Sequence, residues 1–537
     1  MTNHIKEDIT LYSTKKLSVS DSFTCPLCST VCKNTLAAHF KNNHSKAELD
    51  NAILADKYKG ILDTELGQKY GITFRYLERL ITQKQGVNIS RLKISKKIKT
   101  LTPENFKEEQ TTVWSFKSRG NWATHSGEYR GNWSPYIPRN IILKYSKPGE
   151  TVLDYFCGAG TTAVESKLLK RKCIALDINK EAIKLAKKNI NFRYDNAFES
   201  EFLVGDARDL SFLKDNSIDL ICAHPPYTNI IHYTDNKIGD LSFLEIEQFL
   251  KEMEKVAKES FRILKPARQC AILIGDMRRH KNVIPLGFKL INVYLNAGFK
   301  LKELIIKRQH NCKTTGFWYT NSIKFNFLLL GHEYLPIFEK PEEKAMEVKE
   351  EFAGYGLFNP YSERPLLKKK LDELETTTVW IFSENNLERL LNKNVIDRYS
   401  EEGGYKVINI NSDPGKTLSI SSQKKRNLLF IKSSCLNGKE YTMRDVDLYI
   451  DQLRDIIQNE LPFINKSGYY VIQTKDIRVC EYIEPLAKRI IDSISFPDFL
   501  LKEIVVVTIE NHKDNFKIRK ALNLNIAHQY LLIYKRV

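Results

Sequence analysis

The stretch ETVLDYFCGAGTTAVESKLLKRKCIALDIN (150–179) constrains this chain more than any other. TVLDYF is an apolar run suited to a buried strand. Gly158, Ala159 and Gly160 follow as a tight turn where backbone must approach a ligand. TTAVESKLLK then opens a helix, and KCIALD makes a second strand that ends in Asp177. Strand, glycine turn, helix and strand-end acid together describe a nucleoside-binding βαβ unit, with Asp177 placed to accept from ribose hydroxyls. Asp154 ends the first strand beside the turn. Taken alone, the pattern also fits nicotinamide cofactors or plain packing.

The next segments narrow the choice. FLVGDARDL (202–210) supplies a third strand with Asp206 at its end, placed for an adenine amino group. DLICAHPPYTNIIHY (219–233) supplies a fourth strand that runs into His224, Pro225, Pro226 and Tyr227. Two prolines cannot continue a hydrogen-bonded ladder, so the chain must turn there. The turn presents one polar acceptor and one aromatic ring at the carboxyl edge of the sheet, where open α/β sheets bind ligands.

These residues resemble the amino-directed DNA methyltransferases, which transfer a methyl group from S-adenosylmethionine to adenine N6 or cytosine N4. Phe156-Cys157-Gly158-Ala159-Gly160 matches that family's FxGxG motif, and His224-Pro225-Pro226-Tyr227 matches its (D/N/S)PPY motif. RGNWSPYIPRNIILKYS (130–146) resembles the segment that closes over the methionine end of the cofactor. The resemblance covers about 111–341. It implies a sheet of about seven strands with a reversed final hairpin, supplied by LKELIIKRQH and FNFLLLGHEYLPIFEK within 301–340. It also implies Asp154, Phe156, Gly158, Gly160, Asp177 and Asp206 as the cofactor-binding set, and 224–227 as the catalytic set. Tyr227 would stack on a base flipped out of the duplex. His224 and the Pro225 carbonyl would accept from its amino group. The chain contains no Pro-Cys dipeptide, which disfavours cytosine C5 chemistry.

The N-terminal region carries a different chemistry. CPLCSTVCKNTLAAHFKNNH spaces Cys25-x2-Cys28-x10-His39-x4-His44, a ligand set for tetrahedral Zn²⁺, with Cys32 as a spare ligand. A segment this short has little core, so the metal would supply folding energy. DTELGQKYGITFRYLERLI (63–81) reads as helix–turn–helix. Asp63 and Thr73 are caps, Gly71 makes the turn, Leu66, Leu77, Leu80 and Ile81 face inward, and Phe74, Arg75, Glu78 and Arg79 lie on the reading face. RLKISKKIK (91–99) holds a run of basic residues that suits a linker or a phosphate-tracking arm.

Charge agrees with a polyanionic partner. Lys and Arg total 83 against 65 for Asp and Glu, a net +18. No run approaches the ~20 apolar residues of a membrane helix. The polar N-terminus does not read as a signal peptide, so a cytoplasmic protein of prokaryotic or phage origin is expected. Ten cysteines in 537 residues are too few for a disulfide scaffold.

The C-terminal region repeats pieces of the catalytic one in the same order. TTVWSF (111–116) recurs as TTVWIF (377–382), and GDMR (275–278) as KDIR (475–478). VIPLGFKLI (283–291) recurs as IEPLAKRII (483–491), and LKELII (301–306) as LKEIVV (501–506). HEYLPIFEK (332–340) recurs as HQYLLIYKR (528–536). The second set lacks the glycine turn and the PPY.

The expected layout is therefore an α/β, Rossmann-like methyltransferase with appended DNA readers. Its parts are a tail and zinc finger (1–48), helix–turn–helix (49–90), basic linker (91–110), catalytic domain (111–341), connector (342–375) and degenerate half (376–537), the last a candidate for target recognition. Double-stranded DNA is the expected partner. A cognate restriction endonuclease accompanies the restriction–modification reading; a solitary or phage-borne methylase is the other setting. The rivals are a tRNA guanine-N2 methyltransferase, a fused restriction–modification enzyme with a nuclease in 376–537, and a non-enzymatic DNA-binding protein. No acidic pair followed by Glu-x-Lys stands in 376–537, which disfavours the nuclease.

His224 stands where the family has Asp, Asn or Ser. A neutral imidazole accepts a hydrogen bond and a protonated one cannot. Methyl transfer is expected to fall as pH drops through the imidazole range. A flat rate from about pH 8 to about 5.5 contradicts the acceptor role.

Overall fold

In the computed structural model, the described residues are 23–32, 36–58, 61, 63–72, 76–77, 80, 98–126, 129, 131–227, 239–279, 281–310, 316–342, 356–358, 371, 374–400, 404–411, 424–433, 441–510 and 523–537. They form two compact units. One takes the described residues of 1–92, 128–131 and 228–244; the other takes those of 93–127, 132–227 and 245–537. Among the described residues no helix is long and apolar enough to cross a membrane.

The smaller unit begins with a two-residue hairpin, β1 (Phe23–Thr24) against β2 (Val31–Cys32). Helices α1 (Leu36–Asn43), α2 (Lys46–Tyr58) and α3 (Asp63–Tyr70) follow. Ser45 and Glu48 form a reciprocal capping box at the start of α2, with bonds of 2.9 and 3.2 Å. Gly71, at φ 60°, ends α3 in the left-handed conformation. Cys25, Leu36, Phe40, Leu49, Ile53, Leu66, Tyr70, Ile72, Leu77 and Leu80 share one core. The Cys/His segment therefore packs on the helices after it rather than standing as a separate small module. Thr73, Phe74, Arg75, Glu78, Arg79 and Ile81 lie outside the described residues, as do the side chains of Asp63 and Cys32.

The larger unit contains two sheets. The first uses β3 (Val113–Ser115), β4 (Thr151–Asp154), β5 (Lys172–Asp177), β6 (Ser200–Val204), β7 (Ile218–Ala223), β8 (Leu264–Ile272), the short hairpin strands β9 (Met277–Arg279) and β10 (Asn282–Ile284) beside it, then β11 (Lys300–Arg308) and β12 (His332–Glu339). Its order is β3-β11-β12-β8-β7-β4-β5-β6. Strands β4 to β8 pair in parallel, while β12 runs antiparallel between β8 and β11. The apolar runs of β4 and β7 are buried, as a sheet covered on both faces requires. Helices α4 (Tyr136–Tyr145), α5 (Thr161–Leu168), α6 (Lys180–Asn189), α7 (Ile246–Ile263) and α8 (Leu286–Asn296) lie between the strands in sequence. This is a Rossmann-like methyltransferase fold, with β3 as an eighth strand beyond the seven expected. The chain winds outward in both directions from β4 and β7, and their carboxyl ends mark the switch point.

The second sheet uses β13 (Gly356–Phe358), β14 (Val379–Phe382), β15 (Tyr405–Asn411), β16 (Arg426–Ser433), β17 (Ile464–Thr474), the hairpin β18 (Ile477–Val479) and β19 (Tyr482–Glu484), β20 (Phe499–Ile509) and β21 (His528–Arg536). Its order is β13-β15-β16-β17-β21-β20-β14. Here too an antiparallel strand, β21, lies between β17 and β20, and β13 pairs antiparallel with β15 at the edge. β11 carries a bulge between Leu301 and Glu303, and β20 one between Leu501 and Glu503.

Contacts between the two halves come in matched pairs, as in an isologous interface. Arg278 Nη2 donates to Glu503 at 2.5 Å, and Arg478 Nη2 donates to Glu303 at 2.7 Å. Each glutamate also accepts a backbone amide: Leu328 N for Glu503 at 3.1 Å and Leu524 N for Glu303 at 2.9 Å. Thr112 bonds His528 at 2.8 Å, and Thr378 bonds His332 at 2.9 Å. Glu303 and Glu503 are both 0% exposed. Arg278 is thus committed to an internal ion pair. Replacing Arg278 or Arg478 with Ala leaves a buried carboxylate without its cation. We expect a loss of about 3–5 kcal/mol in denaturant unfolding. A loss below about 1 kcal/mol would show that the crossed pairs do not hold the halves together.

Candidate active site

Asp154, at the end of β4, organises the glycine turn. Its carboxylate accepts from Phe156 N at 3.0 Å and from Thr162 Oγ1 at 2.5 Å. Burial pushes its pKa up to about 7 against these two bonds. Gly158 and Gly160 take φ of 49° and 82°. A Cβ on Gly160 would fall 2.9 Å from Ala186 Cβ and 3.2 Å from Ala186 Cα, so α6 closes on bare backbone there. Asp177, at the end of β5, accepts from Gly158 N at 2.9 Å and Asn179 N at 2.8 Å. Those bonds fix its carboxylate beside the turn. Asp206 is held differently. Both of its oxygens accept from Arg208, whose guanidinium also reaches Glu252. Burial opposes its ionisation, but the Arg208 bonds outweigh that and hold Asp206 below the ordinary range. The residue expected to face an adenine amino group therefore carries an arginine.

His224-Pro225-Pro226-Tyr227 leaves the end of β7, which pairs directly with β4 through Val152–Leu220 and Leu153–Ile221. The tetrad and the glycine turn thus sit at the carboxyl ends of neighbouring parallel strands. Asn132 and Trp133 connect them. Thr161, the first residue of α5, donates to Asn132 Oδ1 at 2.7 Å. The Trp133 ring stacks on His224 at 5.7 Å and 19°. Glu165, fully buried one turn further along α5, accepts from Trp122 Nε1, His125 Nε2 and Arg139 Nη1 at 2.7, 2.7 and 2.8 Å. That single carboxylate pins three residues of the preceding segment onto the helix of the glycine turn.

Two residues join the tetrad that its motif does not announce. Tyr227 OH donates to Glu333 Oε1 at 2.6 Å and lies 3.1 Å from His224 Nε2. Lys307 Nζ donates to the other Glu333 oxygen at 2.8 Å. Burial alone would raise the Glu333 pKa; the Lys307 charge outweighs it and lowers it to about 2. Asp276 is structural. It accepts from Gly287 N at 3.0 Å and Tyr334 OH at 3.2 Å.

Residues 15–188 match the family described as DNA methylase, and residues 146–327 match the family described as methyltransferase domain. The type II methyltransferase M2.LlaDCHI of Lactococcus lactis subsp. cremoris is 38% identical over 87 residues, 16% of this chain and 31% of that protein. In this stretch the chain is similar to the DNA methylases. It is also similar to tRNA (guanine(10)-N2)-dimethyltransferase of Methanothermobacter thermautotrophicus, at 31% identity over 100 residues, 18% of this chain and 29% of that enzyme. Among solved structures, TrmN from Thermus thermophilus aligns with 39% of this chain and 50% of its own at 20% identity and a TM-score of 0.27. The chain spans about a third of the length of the first curated relatives it matches, 31%, 29% and 31%.

In the smaller unit, Cys25, Cys28, His39 and His44 bring one ligand atom each within 4.8 Å of one another. Cys25 Sγ lies 3.5 Å from His44 Nε2, and Cys28 Sγ 3.3 Å from His39 Nε2. A tetrahedral ion with Zn–S of about 2.3 Å and Zn–N of about 2.0 Å spaces its sulfur and nitrogen ligands by about 3.5 Å. Hydrogen bonds from Thr30, then from His39, lower the Cys28 pKa to about 5, which favours the ligating thiolate.

Burial makes Asp154 and Asp276 both keep a proton up to about pH 7 when folded, against an ordinary aspartate value of 3.8. The folded state binds more protons in that window, so their contribution is present below pH 3.8 and lost as pH rises toward 7. Replacing Asp154 with Asn is expected to flatten the fall in stability over this range. An unchanged slope in unfolding measured from acid to neutral pH contradicts the assignment.

Proposed function

We propose that this chain is a site-specific DNA methyltransferase that methylates the exocyclic amino group of a flipped adenine or cytosine. The observation that carries the reading is the adjacency of the glycine turn and the tetrad at the ends of β4 and β7, bridged by Asn132 and Trp133. S-adenosylmethionine supplies the methyl group. Phe156, Gly158, Gly160, Asp177 and the end of β6 near Asp206 would hold it. The bare backbone at Gly158 and the fixed carboxylate of Asp177 fit a nucleoside there.

The residues then act in order. Tyr227 stacks on the everted base, at a gain of about 1–3 kcal/mol. The Pro225 carbonyl and a neutral His224 accept from the amino group. This concentrates lone-pair density on nitrogen along the line of transfer. The Tyr227 hydroxyl donates its hydrogen bond to the ionised Glu333, so His224 Nε2 must donate to the phenol oxygen. A neutral ring then keeps its lone pair on Nδ1. Methylation of the amino nitrogen, with cleavage of the sulfur–carbon bond, would release one amino proton, which the His224 Nδ1 lone pair would accept.

The other parts serve this reading. Zn²⁺ on Cys25, Cys28, His39 and His44 would brace a DNA-reading unit with a helix–turn–helix, and double-stranded DNA is the partner. Residues 376–537 are read as a degenerate second copy of the methyltransferase fold, without the glycine turn or the tetrad. A cognate endonuclease and a cytoplasmic setting belong to the same reading. A second reading, methylation of a tRNA guanine amino group, is favoured by the tRNA methyltransferase among the relatives.

Single-molecule sequencing of DNA from a host expressing the chain is expected to reveal one modified adenine or cytosine in a fixed motif. Tyr227→Ala is expected to lower transfer by about tenfold or more while S-adenosylmethionine uptake by calorimetry stays unchanged. Labelled methyl groups on tRNA and none on DNA would select the second reading.

A further inference from the structure

The two sheets allow a comparison within one chain. At the edges where their halves meet, the same residues recur: Asp276 and Asp476, Arg278 and Arg478, Glu303 and Glu503, His332 and His528, Tyr334 and Tyr530. Their contacts are internal, so these pairs are scaffold. Among the facing positions at which the two sheets differ, one reaches the tetrad. Lys307 sits opposite Glu333 across β11 and β12. At the same register of β20 and β21, Val507 sits opposite Gln529. The second sheet holds together with no ion pair there, so the fold does not require one. A buried ion pair is seldom stabilising relative to neutral residues. Yet the first sheet keeps it in the half that has the tetrad, and Glu333 reaches Tyr227 at 2.6 Å.

We propose that Glu333, held ionised by Lys307, is a positioning residue that orients the Tyr227 phenol and, through it, sets His224 in its Nε2–H tautomer. This rests on the methyltransferase reading above and adds a function to two residues outside its motifs. The carboxylate takes the only phenolic proton. The phenol oxygen is then left as an acceptor, and the imidazole nitrogen facing it must carry hydrogen. Gln529 could not substitute, because an amide is a weaker acceptor and also offers donors that permit the opposite orientation.

The test uses the full chain with Lys307→Val and Glu333→Gln combined, which installs the neutral pair that the second sheet carries at this register. Its unfolding midpoint and its S-adenosylmethionine uptake are expected to match wild type. Its kcat is expected to fall by about tenfold or more, as loss of a charge-assisted bond implies. The same change in a Tyr227→Phe background is expected to cost nothing further, since the hydroxyl through which Glu333 acts is gone. ¹⁵N spectra of the His224 ring, assigned with His224→Gln, are expected to report Nε2–H in wild type and a tautomer mixture in the variant, whether or not methyl transfer is detected. A wild-type tautomer and kcat in the folded variant would overturn the proposal, as would fully additive losses with Tyr227→Phe. If wild type shows Nε2–H but never methylates nucleic acid, the functional reading fails and the positioning claim stands.

Discussion

A carboxylate removed from water must be met by cations or hydrogen-bond donors, or it loses its charge. In the larger unit this constraint decides which distant segments meet. Glu165 gathers Trp122, His125 and Arg139 onto the helix that follows the glycine turn. Glu303 and Glu503 each draw an arginine from the opposite half. Glu333 draws Lys307 on one side and Tyr227 on the other. The sheets supply a frame of apolar strands, and these four acids fix what is docked on it.

The parts of the site that are contiguous in sequence were legible there. A glycine turn between an apolar strand and a helix is needed wherever backbone must approach a nucleoside, so 154–160 could be read directly. The proline pair after β7 could be read for the same reason, because it forces a turn at a strand end. Asp177 was legible from its place one strand later. The parts assembled from distant segments were not. Glu333 and Tyr227 are 106 residues apart, and Arg278 and Glu503 are 225 apart. Nothing local in GDMRRHK (275–281) announces a carboxylate partner for Arg278. Asp206 looked free for an adenine, because nothing local announces that Arg208 folds back on it.

One signal for the crossed pairs was available. LKEL (301–304) and LKEI (501–504) each set a glutamate inside an otherwise apolar strand, and GDMR (275–278) and KDIR (475–478) each carry an arginine. A charge present in both segments at a buried register calls for a partner present in both. The difference between the two sheets is equally informative. Where the half with the tetrad has Lys307 and Glu333, the other has Val507 and Gln529, and the strand register is the same. Packing accounts for what the two sheets share, and the proposed role of Glu333 at the tetrad accounts for this difference.

The most direct test of the central claim is a crystal structure of the full chain with S-adenosylhomocysteine and a duplex bearing its modified motif. The account predicts the cofactor sulfur over residues 156–160. One adenine or cytosine should be turned out of the helix against Tyr227, with its amino nitrogen facing that sulfur. A cofactor bound away from the end of β4, or a duplex with every base stacked and residues 224–227 empty, would contradict it.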